Sequence, residues 1–222
     1  MLVLVGAVVV LGCVIGGFLL SHGQMAALWQ PYELLIIGGG ALGAFLSANP
    51  VKVVKGALRD AIGLLKGPKY HKQDYVDLLS MLYDLFSLMR KEGLLSLEQH
   101  VEDPQSSPLF SAYPRLLREH HLIEFTTDCL RLMVGGSMNP HELEQLLEVE
   151  LEAHHQEAVA PALAVTKLAD ALPGFGIVAA VLGIVTTMSQ LDGDTSRIGM
   201  HIAGALVGTF LGILLCYGFV GP

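Results

Sequence analysis

Residues 1–20 (MLVLVGAVVVLGCVIGGFLL) hold no charged side chain and no side-chain amide, and three later stretches come close to that. Residues 34–48 (LLIIGGGALGAFLSA) are uncharged but short, with Trp29 and Tyr32 near their outer end. Residues 172–191 begin LPGFGIVAAVLGIVTTM, and residues 198–220 are interrupted only by His201. About 20 apolar residues cross the hydrocarbon core of a bilayer. Backbone in lipid must satisfy its own hydrogen bonds, so such segments fold as helices. Composition agrees, with 52% hydrophobic and 15% charged residues and a mean hydropathy of +0.55. The first run has no basic start and no A-x-A site, which sets it apart from a cleaved signal. The expected fold class is all-α and integral to the membrane: four transmembrane helices with a large helical cytoplasmic insert between the second and third. The expected division is 1–49 for the first two spans, 50–170 for the insert, and 171–222 for the last two spans.

Charge sets the orientation. Of the 13 Lys and Arg, all but Arg197 lie between residues 51 and 170. Lys52, Lys55, Arg59, Lys66, Lys69 and Lys72 cluster just after the second span, which the positive-inside rule places in the cytoplasm. Both termini then face the cytoplasm. A juxtamembrane basic cluster also attracts anionic lipid; it is not read as a nucleic-acid patch.

The insert has helical spacing. In YVDLLSMLYDLFSLM the pattern predicts one apolar face of Val76, Leu79, Leu82, Tyr83, Phe86 and Met89. Pro104, Pro108 and Pro114 mark a break, spacing resumes over 116–133, and Gly135-Gly136 stops it. Asn139-Pro140 opens a final acidic helix whose glutamates read as a solvated face. Nine histidines include two adjacent pairs but no H-E-x-x-H, so they read as exposed side chains and no metal is expected. Cys13, Cys129 and Cys216 form no C-x-x-C. The glycines at 38–40 lie inside a span, where a phosphate-binding loop has no place. No nucleophile–base arrangement is evident, so neither an enzyme nor a cofactor is expected.

Small residues pattern the last two spans. The third offers Gly176, Ala180, Gly183 and Thr187 at helical spacing; the fourth offers Gly204, Gly208 and Gly212 at four-residue intervals. Without a hydrophobic force between helices in lipid, close approach depends on such residues. These faces are expected to pack on each other or around a third helix from another chain. Thr209 either bonds its own backbone one turn back or lines a hydrated path. Pro173 reads as a first-turn residue, and Pro222 falls where the last span leaves the membrane. A proton relay within a membrane needs an ionisable group, and these two spans hold only His201, so the carboxylate is expected from a partner.

LPGFGIVAAVLGIV and VGTFLGILLCYGFVGP resemble the third and fourth spans of the MotA family, the larger subunits of bacterial flagellar stators. SLMRKEGLLSLEQHVEDPQSSPLFSAYPRLL is similar to that family's cytoplasmic loop, and QPYELLIIGGGALGAF to its second span. The resemblance covers essentially all 222 residues. It implies a homopentamer around a MotB dimer, whose single helix carries the essential aspartate, and torque on the rotor protein FliG. It also implies rotor contacts through Arg90 and Glu98, sensitive prolines at Pro173 and Pro222, and a path threonine at Thr209, with Ala180 and Thr187 expected on the same ion pathway. Ala180 stands where sodium-driven relatives often carry threonine, which favours protons as the ion. Relatives continue past the last span with a cytoplasmic tail, so a form truncated at the C-terminus is expected here. TolQ and ExbB relatives, which energise the envelope, are the runner-up; a non-conducting scaffold would leave Thr209→Val and Pro173→Ala silent.

Overall fold

The computed structural model describes residues 2–64, 69–136, 139–188 and 195–222, and among these every regular element is helical. Among the described residues, four helices are long and apolar enough to cross a membrane. In order, the helices are α1 (Leu2–Leu20), α2 (Met25–Leu28), α3 (Pro31–Ala48), α4 (Val51–Gly63), α5 (Lys72–Glu92), α6 (Glu98–Glu102), α7 (Pro108–Ser111), α8 (His120–Val134), α9 (Pro140–Met188) and α10 (Thr195–Leu215). A π turn, Cys216–Val220, extends α10. Of the sequence features above, Lys66 and Leu191 lie outside the described residues.

The chain divides into two compact units, residues 1–67 with 157–222, and residues 68–156. The first change falls at Gly67 and the second at Glu157, inside the 50–170 stretch expected as the insert. In the first unit, α4 follows the second span and packs on α9: Ala57 and Ala164 are buried with Phe45. A Cβ on Gly56 would lie 2.8 Å from the ring of Pro161. Lys52 of the basic cluster donates to Glu157 at 2.8 Å. A second core joins Ile37 and Ala41 of α3 to Ala169, Leu172 and Ala179 of α9 and to Cys216. Phe175 seats on Gly40, where a Cβ would come within 2.5 Å of the ring.

The second unit closes around Met81 and Leu85 of α5, Leu97, Val101, Phe110, Leu116, Ile123 and Leu130. This corrects the predicted face of α5. Leu82 and Met89 do pack against the core, but Leu79 and Tyr83 are 68% and 72% exposed, and Val76 and Phe86 are exposed with them. The helix is apolar on two sides, so its periodicity cannot tell which side turns inward. His100 is buried and shares a 2.8 Å hydrogen bond with Ser107, whose hydroxyl also accepts from the Phe110 N–H that opens α7. The paired histidines are exposed as expected, although His121 and His154 meet edge to face at 5.7 Å.

A second correction concerns α9. The acidic helix and the third span form one helix of 49 residues, with Pro161 and Pro173 in its interior. Pro173 is therefore no first-turn residue. Proline lacks the N–H that would bond the carbonyl four residues back, here Ala169. Neighbouring helices in a membrane protein tolerate that loss. Residues 157–188 alone make about 48 Å of helix at 1.5 Å per residue, more than the roughly 30 Å of a hydrocarbon core.

Candidate functional site

The glycines of the last two spans face one another. A Cβ on Gly176 would lie 3.0 Å from the Gly208 carbonyl oxygen and 3.2 Å from the Gly212 Cα. On Gly212 it would meet the Leu172 carbonyl oxygen at 2.7 Å, and on Gly183 the Ala205 Cβ at 3.0 Å. So α9 and α10 touch backbone to backbone, at a spacing that only hydrogen side chains permit. Gly204 behaves differently, since its open side receives the Gln30 side chain at 3.1 Å. Of the two arrangements that the small residues allow, this chain uses them on itself.

Thr187 is fully buried and its hydroxyl donates to the Gly183 carbonyl at 2.8 Å. Thr126, Thr166 and Thr186 make the same one-turn-back bond. Thr209 does not take it. It is half-buried beside the contact, its Cα 3.4 Å from where a Gly176 Cβ would stand. Ala180 is half-buried on the facing helix, its N–H nitrogen 3.5 Å from a Cβ on Gly208. Thr209 thus lies beside Gly176 and Ala180 beside Gly208, while Thr187 lies nearly two turns beyond Ala180 along α9. Pro222 is exposed just past the π turn, which the Gly221 N–H closes on the Cys216 carbonyl at 2.8 Å.

One residue at this contact was not singled out by sequence. The apolar run was read from Leu34, which left Glu33 just outside it, and the second-span likeness QPYELLIIGGGALGAF includes Glu33 without giving it a role. In the structure Glu33 lies in the first turn of α3. Its Cγ is 3.2 Å from the position a Cβ on Gly208 would take. Its Oε2 is sealed from solvent without a hydrogen-bond partner. The contact between α9 and α10 therefore does meet a carboxylate of this chain. The signal available was Glu33 itself, four residues past Trp29, at the edge of an otherwise uncharged run.

Among known proteins, the Motility protein A N-terminal model matches residues 4–93 and the MotA/TolQ/ExbB proton channel family model matches residues 119–220. Motility protein A of Salmonella typhimurium is 45% identical over 222 residues, covering 100% of this chain and 75% of that protein. The chain belongs to the motility protein A family. Motility protein A of Escherichia coli is 46% identical over the same length, covering 100% of this chain and 75% of that protein. The solved flagellar MotAB stator complex from Bacillus subtilis aligns with a TM-score of 0.68 at 26% identity, over 96% of this chain and 76% of that one. As a motility protein A, the chain is a multi-pass inner-membrane protein and a proton-channel stator subunit of the flagellar motor. The two loop charges that the motility protein A resemblance singles out are both exposed. Arg90 is in the last turn of α5 and Glu98 in the first turn of α6, each favoured there by the helix dipole. Gly93, at φ +86, turns the chain between them, and the buried Leu97 anchors the 3-10 turn that leads into Glu98.

Proposed function

We propose that the ion passes beside Thr209, along the outside of the paired α9 and α10, and is carried there by an aspartate of MotB. The Thr209 hydroxyl carries this reading. Among the described residues five threonines spend their hydroxyls on their own backbone, and this one is left able to donate to and accept from a partner group. A dehydrated sodium ion needs oxygen ligands in place of its water shell. Ala180 supplies none, which favours the proton. A homopentamer around a MotB dimer would place five such threonines around the partner helices. The basic residues after the second span favour a cytoplasmic second unit, with both termini on that side and anionic lipid at its edge. There Arg90 and Glu98 would meet complementary charge on FliG. Exposed charges add little to folding, but they steer docking and fix register. Pro173 and Pro222, both toward the end of the packed pair where Gly212 meets Leu172, would couple ion passage to movement.

The test is rotation of tethered cells that lack their own larger stator subunit, keep the smaller one and receive this chain. Rotation is expected, and Thr209→Val is expected to slow it at unchanged protein level. If Thr209→Val cells rotate like wild type, the path does not pass this hydroxyl. If MotB does not purify with the chain from cells that fail to rotate, the stator assembly itself is excluded.

A further inference from the structure

Glu33 is the only charged residue of α3, and it lines a cavity of about 760 Å³ in the first unit. The walls come from the segment around α2 and from α3, α9 and α10. Gln24 and Gln30 lie on one side, Thr186 is the polar side chain that α9 contributes, and α10 presents His201. Glu33, His201 and Tyr32 are the titratable groups of the lining. The glutamate stem lies along Gly208, seven residues or about 10 Å of helix from His201. Gly208 immediately precedes Thr209. A carboxylate at this depth, with one oxygen sealed and unpartnered, is costly to keep. Ionisable groups retained in such places mark routes for ions.

We propose that Glu33 is a proton-binding site of this chain, the first acceptor between the outer medium and the Thr209 path. The carboxylate takes a proton from hydronium in the cavity and releases water. The resulting acid gives that proton to the next acceptor inward and returns to carboxylate. No oxidation is involved, and the cavity of about 760 Å³ has room for the water that delivers the proton. The proposal rests on the ion-path reading above, but the binding of a proton by Glu33 can be measured without any flux.

The experiment uses the full chain co-purified with MotB and placed in liposomes, as wild type, Glu33→Gln and Glu33→Asp. Infrared difference spectra across external pH are expected to show a carboxylic-acid band that titrates in wild type and is missing from Glu33→Gln. Under an inward proton gradient, Glu33→Gln is expected to lower flux about tenfold, the scale of local charge focusing. Glu33→Asp should keep most of it, with MotB retained in all three. The proposal is overturned if no band is lost in Glu33→Gln, or if its flux and pH profile match wild type. It is also overturned if both variants lose MotB, because Glu33 is then a packing group. Proton-tight wild-type liposomes whose Glu33 band still titrates would sink the conduction reading and leave the binding site standing.

Discussion

At Gly176 a single hydrogen atom decides whether two helices can meet. Its would-be Cβ is 3.0 Å from the Gly208 carbonyl oxygen, and backbone cannot swing aside as a long side chain can. Gly176→Val is therefore expected to destabilise the chain by about 1–3 kcal/mol, the usual cost of overpacking. The thermal midpoint in detergent should fall, whereas Gly174→Ala, with nothing within 4 Å of its Cβ position, should leave it in place. A different residue effect belongs to the second unit, where Lys69 donates to Glu119 at 2.7 Å. That bond, helped by Tyr70, raises Lys69 above its ordinary value of 10.5 and lowers Glu119 below its ordinary 4.5. The Glu119 contribution is present above about pH 4.5 and is lost as pH falls through its lowered value. The Lys69 contribution is present below about pH 10.5 and is lost as pH rises through its raised value. Both side chains are substantially solvated, so the effect is small. Glu119→Gln should lower the melting temperature slightly near neutral pH and converge with wild type at the acid and alkaline ends, which flattens both limbs.

The elements themselves were legible to differing depth. Four spans and a helical insert follow from residues that lipid or a core must take, such as the uncharged run 1–20. The inward side of α5 does not, because Met81 and Leu85 on one side compete with Leu79 and Tyr83 on the other. Only the partners α6, α7 and α8 settle it. Leu97→Ala, which empties a fully buried site, is expected to cost about 2–5 kcal/mol. Leu79→Ala on the exposed side should cost under about 0.5 kcal/mol in the isolated chain. The continuity of α9 was hidden by Pro173, a residue that in soluble helices usually marks a boundary. Interior proline costs a helix about 3 kcal/mol, so Pro173→Ala is expected to raise the thermal midpoint. It should nonetheless slow rotation if the weakened turn takes part in movement. Opposite signs in the two measurements separate a coupling role from a packing role. Glu33 escaped notice for a third reason. Its depth depends on Gly208 lending it space, and that pairing joins residues 175 positions apart in the chain.

For the whole molecule, the apolar surface left over is the informative part. On α9 the side away from the glycines presents Ile177, Val181, Ile184 and Val185, all exposed, and α1 is exposed along most of its length. In a membrane such faces are covered by lipid or by other chains. The stripe of Val76, Leu79, Tyr83 and Phe86 lies on the second unit, outside any span. A stripe of that kind usually marks a protein contact, and on the homopentamer proposed above a second copy of the chain is its occupant. Leu79→Glu with Tyr83→Lys is expected to lower the oligomeric mass of the purified complex in detergent, while each monomer keeps its melting behaviour. The glycine contact has a further consequence, which is genetic. Because α9 and α10 bind each other within one chain, a bulky residue at 176 spoils the subunit before it meets any neighbour. Such a subunit is expected to reach the proposed ring less often than its wild-type competitor, and a wild-type copy in the same cell should restore swimming. On the proposed pentamer and rotor contact, an Arg90→Glu subunit is expected to fold, join the ring and degrade it from within. Defects inside the helix pair are thus expected to be recessive, and defects on the outer surface dominant.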